Sequence, residues 1–291
     1  MINKAVILAG GRGTRFLPYT KACAKEMINL VDKPALQYIV EECAGAGIKD
    51  ILIIDTKDKP EIAKHFSRDA EYEAFLEERN KQKELDIIRS VADMAKVTCK
   101  HQDKALGSGH AVMLAEEFAD GQPFAVLNGD DLMYTEPGKD TCIGQIASCF
   151  DKCGTSVIGV QEVSPDVIYK YSSCDVVSAE GRTLKIKSII EKPAPGTQPS
   201  NYSSLGRYVC SADFFSYLRR TPFSASGEIY LTDAFKLQAQ EKGIYAYVFD
   251  AVRYDTGDKL GYLQATVEYA LRDSALALPF KKYLKEITRK L

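Results

Sequence analysis

Short apolar runs recur through the first half of the chain, each followed by a stretch with helical period. Ala5–Ala9, Asp50–Asp55 and Pro123–Leu127 are too short for helices and read as buried strands; Lys96–His101 and Thr155–Val163 read as further strands. Between them, Pro34–Gly47 places Leu36, Ile39, Val40 and Cys43 on one helical face, and Gly45 and Gly47 stop it. Pro60–Phe66, His110 to about Phe118, and Asp140–Lys152 predict the next helices. Strand and helix alternating in this order predict a parallel sheet covered on both faces.

The pattern then changes. Asp69–Met94 is rich in Glu, Lys and Arg, with Tyr72, Phe75, Leu76, Leu85, Ile88 and Val91 at helical spacing. It predicts two helices projecting from the sheet, either as a solvated face or packed on a partner or over a substrate. Tyr169–Glu191 alternates turns and strands, with a hairpin turn at Glu180-Gly181, and Pro193–Pro199 is a proline-rich loop. A strand containing Tyr208–Cys210, helices at Ala212–Arg220 and Tyr230–Lys242, and a strand at Ile244–Phe249 follow. Asp255-Thr256-Gly257 is a turn, Lys259–Arg272 a long helix, and Leu276–Leu291 an amphipathic helix. With no internal repeat and no flexible linker, residues 1–291 read as a single domain, carrying a helical insertion at about 67–95 and a C-terminal helical part from about 258.

Composition narrows the class. A net charge of −2 with no basic run makes nucleic acid an unexpected partner. No apolar segment approaches the roughly 20 residues that span a bilayer, and no signal peptide is apparent, so a cytoplasmic protein is expected. The eight cysteines form no C-x-x-C pair, and they read as reduced thiols in small core positions.

The candidate chemistry gathers at strand ends. After Ala5–Ala9 the chain breaks at Gly10, Gly11 and Gly13, and Arg15, Lys21 and Lys25 follow before the first acid, Glu26. Glycines after a strand bring backbone N–H groups to one anion, and the cations neutralise it, so the stretch reads as a polyphosphate seat. It is neither a P-loop nor a dinucleotide fingerprint, because Phe16 stands where the third glycine belongs. Asp130 and Asp131 end the Pro123–Leu127 strand, and Asp255 ends another; carboxylates there suit Mg²⁺, which takes one or two of them plus phosphate oxygens. Glu191-Lys192 joins an acceptor for sugar hydroxyls to a cation for a monophosphate, or forms an exposed ion pair of little consequence. Gln102 with the Gly107 backbone offers both a donor and an acceptor to a base edge. His65, His101 and His110 have no triad pattern around them.

The run G-x-G-T-R-x-L-P-x-T-K-x-x-x-K-E-M (Gly11–Met27) resembles the signature of bacterial UTP–glucose-1-phosphate uridylyltransferases, within the sugar nucleotidyltransferase superfamily. Leu30–Pro34, Gly107-x-Gly109-His110-Ala111, Glu191-Lys192-Pro193, Gly206-Arg207-Tyr208-Val209, Gly227–Ala234 and Lys259-Leu260-Gly261-Tyr262 extend the resemblance from Ala5 to about Arg272. It implies an α/β fold with a Rossmann-like mixed, mostly parallel sheet flanked by helices. It implies that UTP and glucose 1-phosphate give UDP-glucose and pyrophosphate, in a homodimer or homotetramer. Carried onto this sequence, it gives Ala9, Gly10, Gly11, Gly13, Thr14, Gln102 and Gly107 to the nucleotide. Arg15 and Lys25 go to the triphosphate and leaving group, Glu191 and Lys192 to the sugar phosphate, and Asp130 and Asp255 to Mg²⁺.

Two positions depart from the family. Arg12 stands where the uridylyl branch has a small apolar residue. Ser172, in Lys170-Tyr171-Ser172, replaces a glycine whose backbone lies against the sugar, and a side chain there implies an altered or loosened sugar preference. Another sugar 1-phosphate or dTTP is the alternative within the superfamily. A non-catalytic sugar-nucleotide sensor is the alternative of another class.

Overall fold

The computed structural model describes residues 1–290. Its strands are β1 (Lys4–Leu8), β2 (Asn29–Leu30), β3 (Lys33–Pro34), β4 (Asp50–Asp55), β5 (Lys96–His101), β6 (Phe124–Asn128), β7 (Asp131–Tyr134), β8 (Val157–Glu162), β9 (Ser172–Glu180), β10 (Thr183–Glu191), β11 (Tyr202–Cys210), β12 (Ile244–Val248) and β13 (Val252–Asp255). The helices are α1 (Ala35–Gly45), α2 (Pro60–His65), α3 (Ala70–Glu78), α4 (Gln82–Asp93), α5 (Ser108–Met113), α6 (Glu116–Ala119), α7 (Cys142–Cys153), α8 (Phe214–Arg220), α9 (Leu231–Lys242), α10 (Lys259–Arg272) and α11 (Ala277–Thr288).

Nine strands form one sheet in the order β5-β4-β1-β6-β11-β8-β12-β10-β9. All run the same way except β10 and β11. The sheet is thus mixed and mostly parallel rather than wholly parallel. Burial explains the contrast in pattern: β4 and β6 are covered on both faces and read as unbroken apolar runs, whereas β10 alternates buried and open positions. Leu36 and Ile39 of α1 and Ile143 and Ile146 of α7 pack on one face. Val112 of α5, Phe214 and Leu218 of α8, and Phe235 of α9 pack on the other.

Strand β1 lies between β4 and β6, so the chain leaves it in opposite directions. The crevice beyond its carboxyl end is where open α/β sheets take ligands. The glycine stretch leaves β1 there, and Asp130 leaves β6 beside it. Strand β7, absent from the sequence reading, pairs antiparallel with β13, the strand expected to end at Asp255, and sets Asp131 opposite Asp255. The helix expected from His110 to Phe118 is broken into α5 and α6.

The charged segment forms α3 and α4, tied by Arg68 and Arg89 on Glu73, with Leu76, Leu85 and Val91 buried. Helix α10 starts at Asp258, whose carboxylate accepts from Leu260 and Gly261 N–H. Helix α11 buries none of its side chains and leaves Leu278 and Tyr283 exposed. All eight cysteines are free. No helix among the described residues is long and apolar enough to cross a membrane.

Candidate active site

The glycine stretch is an open cup of donors. Among the described residues, none of the N–H groups from Gly10 to Thr14 has a hydrogen-bond partner within the protein. Gly13 is left-handed at φ 63°, and a Cβ there would meet Lys25 Cβ and Thr20 Cγ2, each at 2.9 Å. A Cβ on Gly11 would stand 2.9 Å from Lys25 Cε. Only glycine lets the stretch lie this close to Lys25. Ala9 sits behind the cup: it is fully buried, with its N–H on Ile54 O at 2.8 Å and its carbonyl on Lys59 Nζ. Its backbone supports the loop and offers no group to the cleft. Arg12 is exposed and forms no side-chain hydrogen bond or ion pair among the described residues.

Asp130 and Asp255, distant in sequence, meet. A Cβ built on Gly257 would lie 2.8 Å from Asp130 Oδ2 and 3.1 Å from Asp255 Oδ1, so both carboxylates lie against this glycine, whose N–H donates to Asp255 Oδ1 at 2.9 Å. The turn after β13 fastens them together: Thr256 donates to the Asp130 carbonyl through its N–H at 2.9 Å and its Oγ1 at 2.8 Å. Lys25 Nζ contacts Asp130 Oδ2 at 2.5 Å. Burial pushes the Lys25 ammonium down, but Asp130 and Glu26 outweigh it and hold it above its ordinary value. Burial pushes Asp130 up, and Lys25 with Arg15 outweighs that and holds it below the usual carboxylate range. Arg15 also lines a neighbouring cleft of about 450 Å³ with Lys170, Tyr171, Arg253, Asp255 and Gly261.

Asp131 is spent on structure, not on the cleft. It is buried, and its Oδ1 accepts from Arg253 Nε at 2.7 Å while Asn128 donates to Oδ2 at 3.1 Å. Among the described residues, no cluster of three or more His, Cys, Asp or Glu side chains is placed to hold a metal. Asp130 and Asp255 form a two-carboxylate set, the number Mg²⁺ takes when phosphates and waters supply its other ligands.

On the far side, Glu191 closes β10 opposite Ser172 of β9. Burial raises the Glu191 carboxyl above its ordinary value, and Thr232 Oγ1, donating at 3.1 Å, opposes the rise. Lys192 is left-handed at φ 44°, and its N–H bonds the Tyr171 carbonyl at 2.8 Å. A lysine held in that region is strained, and such strain gathers at functional sites. Ser172 is buried, and its Oγ accepts the Ser204 N–H at 3.2 Å. The hydroxyl expected to alter the sugar preference is therefore engaged inside the protein. Gln102 spends Nε2 on Gly107 O at 3.2 Å and on His110 Nδ1 at 2.9 Å, which leaves its Oε1 beside Gly10. Gly107, at φ 93°, would drive a Cβ to 2.5 Å from the Ile229 carbonyl.

Sequence reasoning missed the residues that hold these loops. Lys59 and Arg253 carried no pattern of their own, and Thr256 was seen only as part of a turn. Arg207 and Thr232 lay inside quoted motifs without a role. Arg207 is fully buried against Glu42, with Nη2 to Oε2 at 2.7 Å, and its Nη2 also donates to the Asp131 carbonyl at 2.7 Å.

The nucleotidyl transferase family profile matches residues 4–272. A UTP–glucose-1-phosphate uridylyltransferase of Staphylococcus haemolyticus is 43% identical over 286 residues, covering 98% of each chain. One from Staphylococcus epidermidis is 41% identical over the same length and shares. Among solved structures, a UTP-bound UGPase from Acinetobacter baumannii superposes with a TM-score of 0.91 at 35% identity, covering 98% of this chain and 99% of that one. A UDP-glucose pyrophosphorylase complexed with UDP-glucose gives 0.85 at 34% identity, covering 94% of this chain and 100% of that one.

Proposed function

The chain belongs to the nucleotidyl transferase family, and from that premise we propose that it transfers the uridylyl group of UTP to glucose 1-phosphate, giving UDP-glucose and pyrophosphate. The carrying observation is the meeting of Lys25, Asp130 and Asp255 at the mouth of an unpaired glycine cup, in a chain matched end to end by uridylyltransferases. An oxygen of the sugar phosphate attacks the α-phosphorus of UTP. The bond to pyrophosphate breaks in line, and its electron pair leaves with the pyrophosphate. A phosphate monoester is already a nucleophile, so the protein supplies position and charge rather than a base.

Each side chain has a part in this reading. The N–H groups from Gly10 to Thr14 bind phosphate oxygens, and Arg15 and Lys25 neutralise the triphosphate and the departing pyrophosphate. The Gln102 acceptor, its donor already committed, reads an N–H on the base edge, and the Gly107 backbone lies beside it. Glu191 accepts hydroxyls of the sugar, and Lys192 holds its phosphate. Asp130 and Asp255 hold Mg²⁺, which when bound withdraws charge from the phosphate oxygens. What supports the ion is the donor set: two carboxylates brought together at Gly257, with the third nearby, Asp131, bound by Arg253, which reaches Asp255 Oδ2 only at 3.5 Å.

The test is pyrophosphate release across a matrix of nucleoside triphosphates and sugar 1-phosphates, with an Asp130→Asn control. UTP with glucose 1-phosphate is expected to be the preferred pair. Binding of UDP-glucose without turnover by the wild type would favour a sensor instead. We also infer a cytoplasmic homodimer or homotetramer, the oligomer supported by α11, an amphipathic helix with no fully buried side chain and with Leu278 and Tyr283 exposed. Light scattering that gives a monomer mass at micromolar concentration would count against the oligomer.

A further inference from the structure

Behind the glycine cup lies a buried lysine with no part in the proposed chemistry. Lys59, 6% exposed, occupies the turn between β4 and α2. Its Nζ donates to the Ala9 carbonyl at 2.5 Å, the Gly11 carbonyl at 2.7 Å and Glu26 Oε2 at 2.8 Å. An ammonium has three donors, and all three are used. Glu26 is itself buried, and its Oε1 has no hydrogen-bond partner.

Peptide planarity gives this arrangement a consequence. In a trans peptide the N–H points away from the carbonyl of the preceding residue. Drawing the Ala9 carbonyl inward turns the Gly10 N–H outward, and drawing the Gly11 carbonyl inward turns the Arg12 N–H outward. These are two of the N–H groups that find no partner in the fold. Glycines alone leave the cup flexible enough to flip such peptides. The lysine removes that freedom from behind, where a ligand does not reach it.

We propose that Lys59 is a positioning residue for the triphosphate: it fixes the two peptides that aim the Gly10 and Arg12 N–H groups into the cleft. Glu26 neutralises it, so that a buried cation can stand there. The tetrahedral ammonium is specific to the task. A planar guanidinium keeps the charge but does not converge on the same three acceptors. The proposal also gives Arg12 a use through its backbone, which its exposed side chain lacks. It rests on the reading that the cup seats a polyphosphate.

The test compares the wild type with a Lys59→Met/Glu26→Met double variant and a Lys59→Arg variant. The double variant removes the buried pair together but also takes Glu26 Oε1 from Lys25 Nζ, 4.0 Å away; the arginine variant keeps Glu26 and the charge, and so separates Lys59 from Lys25. Two measurements are made: calorimetric affinity for inorganic tripolyphosphate, and KM for UTP and for glucose 1-phosphate from pyrophosphate release. Both variants are expected to bind tripolyphosphate about tenfold more weakly and to raise KM for UTP by about tenfold, with KM for glucose 1-phosphate unchanged. Unchanged tripolyphosphate affinity in a folded variant overturns the proposal, as does full rescue by arginine or an equal rise in both KM values. A wild type that binds tripolyphosphate yet releases no pyrophosphate from UTP defeats the activity reading alone, and the affinity comparison still decides Lys59.

Discussion

Replacing Arg207 by methionine should be among the most destabilising single changes in this protein. The guanidinium is fully buried and donates from Nε to Glu42 Oε1 at 3.0 Å and from Nη2 to Glu42 Oε2 at 2.7 Å. It also holds the carbonyls of Gly206 and Asp131. Its removal strands a buried carboxylate whose remaining partner is the Ile143 N–H. Breaking a buried pair from one side costs about 3–5 kcal/mol. An Arg207→Met/Glu42→Met double variant removes the stranded charge. It takes the Arg207 donors from the Gly206 and Asp131 carbonyls and the acceptor from the Ile143 N–H, each a loss of about 1–3 kcal/mol. Urea unfolding followed by circular dichroism at neutral pH should therefore place the double variant well above the sum of the two single changes in stability. Turnover should stay low even where stability recovers, because the Asp131 carbonyl next to Asp130 has lost its tether. A single variant that loses under about 1 kcal/mol, or costs that simply add, would refute this account of the pair.

Lys25→Ala should lower the rate of pyrophosphate release by about 100- to 1000-fold, the effect of removing one charge-stabilising donor; near-normal turnover would remove Lys25 from the site. Asp130→Asn and Asp255→Asn should each reduce turnover severely, and the double variant should lose little more, since groups serving one point fail together; multiplicative losses in initial rates would separate their roles. Burial sets the Glu191 carboxyl above its ordinary 4.5, so it takes up a proton early as pH falls and loses the form that accepts sugar hydroxyls. KM for glucose 1-phosphate should then rise with falling pH beyond the rise due to the phosphate itself, which ionises near about 6; an identical profile in Glu191→Gln would refute the assignment.

The sequence was most legible where local pattern and tertiary burial agree. The bounds of β4, β5 and α10 coincide with the expected ones, because their apolar or helical periods carry through to clear ends. Strand β11 runs from Tyr202, well before the Tyr208–Cys210 stretch that marks it in the sequence, because Ser203 and Ser204 look like loop residues. Both are buried, and they are satisfied by neighbours the sequence does not reveal: Ser203 Oγ on Ser172 O, and Ser204 Oγ on the Tyr208 hydroxyl. Strands β7 and β13 are four residues each with no alternation to betray their extent, and of the two only the end of β13 at Asp255 was expected. Site residues were visible where a glycine stretch or a strand end marks them. Their supports were not, since a buried ion pair shows in sequence only if its partners are close. Lys59 and Glu26 lie 33 residues apart, and Arg207 and Glu42 lie 165 apart.

The neighbours Asp130 and Asp131 show how far environment, rather than residue type, divides the labour. Both are aspartates just beyond β6, Asp130 in the turn and Asp131 opening β7, and the sequence pattern does not distinguish them. The pairing of β7 with β13 turns Asp131 inward against Arg253, where burial raises its carboxyl despite that cation, and Asp130 and Asp255 add to the rise. Asp130 keeps its side chain 26% exposed and faces Lys25, which with Arg15 holds it below the usual range. One acid is thus fixed as a support for the turn, and the other stays ionised and reachable. The histidines fit the same division. His65 Nε2 contacts Gln37 Oε1 at 2.9 Å, His101 Nδ1 contacts Asp55 at 2.5 Å, and His110 Nδ1 contacts Gln102 at 2.9 Å. Each ring braces another side chain and none stands beside Asp130, as expected where a phosphate is the nucleophile and arranged charge carries the reaction.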